Sequence, residues 1–113
     1  LTYPERLNLK LDPPNFTGGL ELNFGKPDTV KFPCLNLALE ALKAGGTMPA
    51  VMNAANEEAV NAFLEDKIGF MDIPAIIEKV MAQHNANLNH ALTLGDIRNA
   101  DEWARETVKG LLC

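Results

Sequence analysis

The apolar positions of this chain change their period once, near residue 32. Before it they alternate: Leu7, Leu9 and Leu11 are separated by Asn8 and Lys10, and Leu20, Leu22 and Phe24 by Glu21 and Asn23. That period of two predicts two short, half-buried β-strands. Asp12, Pro13, Pro14 and Asn15 end the first, because neither proline can donate to a ladder and Pro14 holds Pro13 extended. Gly18 and Gly19 give a flexible joint before the second, and Gly25, Lys26, Pro27 and Asp28 a turn after it. Two strands cannot make a stable sheet alone in water. Residues 1–32 are therefore expected to form an extended arm that completes a sheet belonging to other sequence, and residues 33–113 a separate helical domain.

From Phe32 onward the period is helical. Leu35, Ala38, Leu39 and Leu42 recur at i, i+3, i+4 and i+7, predicting one buried stripe along a first helix. Lys43, then Gly45 and Gly46, make its stop. Pro49 sits where a second helix should begin, and no further Gly or Pro interrupts the run to about Asp66. In that helix Ala55, Ala59 and Ala62 form a small-residue face for close helix approach, with Val60, Phe63 and Leu64 as a bulky neighbour. Asp72 is expected to cap a third helix, with Pro74 in its first turn and Ile73, Ile76, Ile77, Val80 and Met81 as its stripe. The stripe fades at His84, where an Asn-rich polar loop follows. Thr93 to Asp96 should form a single turn and Asn99 cap a fourth helix, burying Ala100, Trp103, Ala104, Thr107, Val108 and Leu111. Asp101 and Arg105 are spaced for an exposed i, i+4 pair. The fold class is mainly α: an antiparallel four-helix bundle-like domain preceded by an extended arm with two short β-strands.

Composition narrows the function. With 47% hydrophobic and 22% charged residues the chain is of globular type, and a net charge of −5 argues against non-specific nucleic-acid binding, which needs a basic face. No run approaches the ~20 apolar residues of a membrane span. The start, LTYPERLNLK, lacks the basic and continuous apolar regions of a signal peptide; it also lacks an initiator Met, as expected of a fragment or a processed chain.

Candidate chemistry is sparse. The sequence holds no serine, so no Ser-His-Asp triad can form. Asn53, Asn56, Glu57 and Glu58 are the most concentrated polar cluster, and at least one asparagine should face a partly buried surface and clamp a neighbouring loop or helix end. Glu57 and Glu58 point about 100° apart on a helix and cannot chelate one ion together. His84 and His90 lack an acidic residue three positions earlier, which a di-metal bundle would need, and both are expected at the surface. Cys34, at a helix start, and Cys113, the last residue, are too few for a disulfide scaffold; Cys34 is expected to be a small buried hydrophobe. Trp103 and Phe63 belong to the core. Gly18-Gly19 and Gly45-Gly46 lack the further glycine spacing of a phosphate loop.

The run GGTMPAVMNAANEEAVNAFLEDKIGFMDIPAIIEKV, preceded by FPCLNLALEAL, closely resembles the carboxy-terminal part of the 1-deoxy-D-xylulose 5-phosphate reductoisomerase family. The resemblance covers most of the chain and is weakest after His84. It implies a parent enzyme with an NADPH-binding domain, a metal-binding catalytic domain using Mg or Mn, a linker arm and this helical domain. The parent would be a homodimer of the bacterial cytoplasm, or of a plastid if eukaryotic. The family's catalytic, cofactor and metal motifs match nothing here, so no catalytic, cofactor-binding or metal residue is carried over, and Leu1 to Pro4 are too few to assign a role. Where the family often has an aliphatic residue after NAANE this chain has Glu58, which should be solvent-exposed. The expected role is to brace an active site held elsewhere. The competing expectation is a free-standing helical interaction module with one contiguous apolar groove.

Overall fold

The computed structural model describes residues 3–5, 7, 10–19, 21–88 and 93–112. Among these, four α-helices account for the ordered core: α1 (Cys34–Ala44), α2 (Met48–Leu64), α3 (Asp72–His84) and α4 (Leu94–Leu112). Short 3-10 turns occupy Phe16–Gly18 and Asn85–Asn87. Helix α2 lies at the centre, against α1, α3 and α4, while α3 also touches α1 and α4. The radius of gyration is 19.2 Å, and the described residues before α1 are almost all exposed.

The arm corrects the first expectation. No described residue is in a β-strand; Asn8, Leu9 and Leu20 lie outside the described residues. Alternation marks which side chains seek cover, but a strand needs a partner's backbone, and none of the described chain supplies it. Leu7, Leu11, Leu22 and Phe24 remain exposed. Local side chains organise the arm instead. Asn15 Oδ1 accepts from the Thr17 N–H and hydroxyl, and Asp28 Oδ1 accepts from the N–H groups of Val30 and Lys31, turning the chain into α1.

Helix α1 corrects the second. Its bundle-facing residues are Leu37 and Ala41, whereas Leu35, Leu39 and Leu42 point outward. The Leu35 stripe has the better helical spacing, but α1 is apolar on two sides and spacing cannot choose between them. Gly45 and Gly46 then turn the chain with φ of 67° and 56°, a region L side chains avoid.

Helix α2 follows its expectation closely. Pro49 sits in its first turn, and Ala54, Ala55, Ala59 and Ala62 are buried. Val60 and Phe63 pack at the margin of the core, but Leu64 is exposed, because the helix ends there and Asp66 turns away at φ 58°. Helix α3 buries Ile73, Ile77, Val80 and Met81 as expected. Asp72 is its first residue and not its cap; its carboxylate accepts from the Gly69 N–H at 2.8 Å.

Helix α4 starts five residues before the expected Asn99, at Leu94. A reciprocal capping arrangement drives this. The Thr93 N–H and hydroxyl donate to Asp96 Oδ2 at 2.8 and 2.7 Å, and the Asp96 N–H donates to Thr93 Oγ1 at 3.2 Å. Those bonds also hold the Asp96 carboxyl below its ordinary range. Ala100, Ala104 and Val108 are buried, with Trp103 and Leu111 packed beside them.

Ala59 is fully buried on the central helix. Ala59→Leu is expected to lower stability by about 1–3 kcal/mol through overpacking, while the same change at exposed Ala38 should cost under ~0.5 kcal/mol. Urea-melt midpoints of the two variants check this.

Candidate functional site

Two polar arrangements stand out, and both join residues distant in sequence. The first is centred on Arg105 of α4. Its Nε donates to Asp101 Oδ2 at 2.8 Å and Nη2 to Asp101 Oδ1 at 3.2 Å, a two-pronged grip along its own helix. Nη2 also reaches Glu57 Oε2 at 2.7 Å, and Nη1 reaches Glu58 Oε1 at 3.2 Å, both on α2. The pair Asp101–Arg105 is thus part of a four-residue node between α2 and α4. Glu57 and Glu58 both reach the one guanidinium, whose separate N–H groups meet each carboxylate.

Glu58 departs from its expectation: its side chain is 18% exposed and ion-paired. Asn53 clamps no neighbouring element; its Nδ2 donates along its own helix to Glu57 Oε1 at 3.0 Å. Arg105 and Asn53 together hold the Glu57 carboxyl below its ordinary value of 4.5. Hydrogen bonds from Arg105 to Asp101 first, then to Glu57 and Glu58, push the guanidinium pKa further up.

The second arrangement lies where α3 ends. His84 is buried, contrary to its expected surface position. Its Nε2 is 2.8 Å from the hydroxyl of Thr47, and its ring meets Trp103 with centroids 5.1 Å apart at 41°. Thr47 precedes α2 and makes no side-chain cap to it; its hydroxyl meets α3 instead. His84 falls four residues after Val80 and seven after Ile77, on the same stripe, a signal that its polarity obscured. Burial pushes its pKa below the ordinary 6.5. A shallow cavity of about 280 Å³ opens beside it, lined by Thr47, His84, Asn87, Asp96, Asn99 and Trp103. His90 lies outside the described residues.

Cys34 is half-buried and free, beside an apolar cleft whose other walls include Phe32, Asn56, Val60 and Met71. Asn56 is the partly buried asparagine that the spacing anticipated. Cys113 lies outside the described residues. Phe63 packs edge-on against Phe70, with centroids 5.8 Å apart.

Among the described residues no three His, Cys, Asp or Glu side chains converge to hold a metal ion, and the carboxylates brought nearest to one another surround a guanidinium. A nucleotide phosphate finds no glycine-rich strand-turn-helix among them either. No helix of the described chain is long and apolar enough to cross a membrane.

Arg105→Ala leaves three carboxylates facing one another without a counter-charge, so it should destabilise at neutral pH by about 1 kcal/mol, more than Arg98→Ala. Glu57 is depressed in the folded state, so its stabilising share is full above 4.5 and lost as pH falls through the folded value. The penalty of Arg105→Ala should accordingly shrink in acid, as thermal melts against pH will record. His84 is also depressed, which makes the fold lose stability as pH falls below 6.5; His84→Asn should flatten that part of the profile.

The chain matches the family model described as the DXP reductoisomerase C-terminal domain over residues 1–107. It is 49% identical over 112 residues to the 1-deoxy-D-xylulose 5-phosphate reductoisomerase of Acetivibrio thermocellus, covering 99% of this chain and 29% of that protein. The fold is similar to the same-named enzyme of Zymomonas mobilis, solved with NADPH, with TM-score 0.81 and 42% identity over 97% of this chain and 29% of that one. It also resembles a DOX-P reductoisomerase solved with fosmidomycin and magnesium, with TM-score 0.78 and 33% identity over the same shares of 97% and 29%. The chain thus spans under a third of the length of these relatives. With a family model matched along nearly its whole length, the chain belongs to the DXP reductoisomerase C-terminal domain family.

Proposed function

We propose that this chain is the carboxy-terminal helical part of an NADPH-dependent enzyme that converts 1-deoxy-D-xylulose 5-phosphate to 2-C-methyl-D-erythritol 4-phosphate in non-mevalonate isoprenoid biosynthesis. Its role is to brace an active site carried by the remaining sequence. The observation that carries this reading is the likeness over 97% of the chain to an enzyme of that name solved with NADPH. In this reading residues 1–32 are a linker arm and residues 33–113 a bracing domain. The parent is a homodimer of the bacterial cytoplasm, or of a plastid in a eukaryote. NADPH and a divalent metal bind the parent, and no residue of this chain is assigned to catalysis, cofactor or metal.

The chemistry of the described residues supports such a division. The clustered charges are spent on one another: Arg105 ties α4 to Glu57 and Glu58 of α2. The Thr47–His84 bond ties the start of α2 to the end of α3. Such links make a stiff support, and a reacting constellation depends on the rigidity of what surrounds it. A free-standing interaction module would collect its apolar residues into one groove. Leu7, Leu11, Phe16, Leu22 and Phe24 are instead strung along the arm, each more than 60% exposed.

Removing residues 33–113 from the complete enzyme is expected to lower both its melting temperature and its NADPH-dependent turnover, without abolishing metal binding. Unchanged stability and turnover would defeat the bracing role. Fluorescence titration of NADPH against this chain alone should show no saturable binding.

A further inference from the structure

The apolar cleft beside Cys34 carries groups that the fold leaves unused. It encloses about 190 Å³ where the segment entering α1 meets α2 and the start of α3. Phe32, Cys34, Val60, Phe70 and Met71 give it aromatic, aliphatic and sulfur walls. Two polar residues share the lining. Asn56 of α2 is half-buried, and its amide makes no side-chain hydrogen bond among the described residues, so it clamps no neighbour. An amide set in an apolar wall is stable there only where something polar can reach it. Lys31 is exposed and stands at the rim, its Nζ 5.7 Å from the centre of the Phe32 ring. It meets no carboxylate among the described residues, although the chain carries a net charge of −5 and gathers three carboxylates around Arg105.

We propose that this cleft binds a compact aromatic carboxylate, with its ring among Phe32, Phe70 and Met71, its acid group at Lys31, and a further hydrogen bond from the Asn56 amide. Size, wall chemistry and charge each narrow the occupant. An apolar cavity of about 150 Å³ takes up benzene, so this one admits a single ring with a short tail and excludes a nucleotide. Aromatic and sulfur walls favour a ring over an aliphatic chain. The ammonium selects an anion, and α1 adds to the preference: it begins at Cys34 with no side-chain cap and no acidic residue in its first turn. Helix α3 offers less, because Asp72 already brings a carboxylate to its first turn. That carboxylate and the apolar walls weigh against the second charge of a phosphate. The hollow beside His84 has no comparable opening, since Thr47 and His84 are bonded to each other and Asp96 to Thr93.

The proposal is independent of the enzymatic reading, and its test reads binding and not turnover. The complete protein is treated with iodoacetamide, and alkylation of Cys34 is followed by mass spectrometry of its peptide, with phenylacetate as the probe. Phenylacetate should slow that alkylation several-fold and saturably. Phenylacetamide, with the same ring and no charge, should bind several-fold more weakly, and acetate, which lacks the ring, should give no protection. Lys31→Gln should bring acid and amide to equal affinity while leaving the amide's own affinity unchanged, and Asn56→Ala should weaken both. Protection that never saturates, equal affinity of acid and amide in the wild type, or protection by acetate would overturn the proposal. So would a preference for the acid that survives Lys31→Gln, or an Asn56→Ala that binds phenylacetate as the wild type does. A Cys34 that resists alkylation with no probe present would also overturn it, because other sequence or a second copy then fills the cleft. The acid-to-amide comparison needs no variant, so it decides the matter even where a substitution prevents folding.

Discussion

The constraint on which this fold depends is the narrowness of α2. A central helix that must meet three others at once can approach them closely only where its side chains are small, and Ala54, Ala55, Ala59 and Ala62 meet that need. Much of the bulk that fills the core comes from the other helices, Ile77 and Val80 of α3 and Val108 of α4, joined by Met48 and Val51 from the first turns of α2. Close-packed interiors transmit such size requirements strongly, because neither helix can withdraw without opening a void. Polar links then fasten the same elements at their margins. Arg105 holds α4 to α2 at one place, and the Thr47–His84 bond holds α2 to α3 at another.

Much of this was legible in the residues. The alanine face of α2, the isoleucine stripe of α3 and the Ala100–Ala104–Val108 face of α4 all follow from spacing. What escaped did so for physical reasons. Periodicity reports that a helix has an apolar side, and α1 has two, so the better-spaced leucines drew the wrong inference about which side the bundle covers. His84 sits on the α3 stripe, but a titratable ring is buried only where a partner meets it, and Thr47 is 37 positions away in sequence. Thr93 to Asp96 read as a turn separate from a helix capped by Asn99, whereas the reciprocal Thr93–Asp96 bonds make that turn the first of α4.

The candidate site shows the same limit from another direction. Spacing treated Glu57 and Glu58 as side chains pointing about 100° apart on a helix. It could not disclose a planar cation long enough to bridge them from a helix 47 residues on. The arm illustrates the opposite case: its alternation is unmistakable, and yet no described residue there pairs as a strand. Local pattern states a preference, and long-range partners decide whether it is met.

The joint between α1 and α2 has a consequence for how the molecule meets its surroundings. Gly45 and Gly46, both at positive φ, make a link too short to act as a swivel. The bearing of α1 is therefore set during folding, and its outward leucines arrive already aimed. A surface presented in a fixed attitude loses little further freedom when something settles upon it.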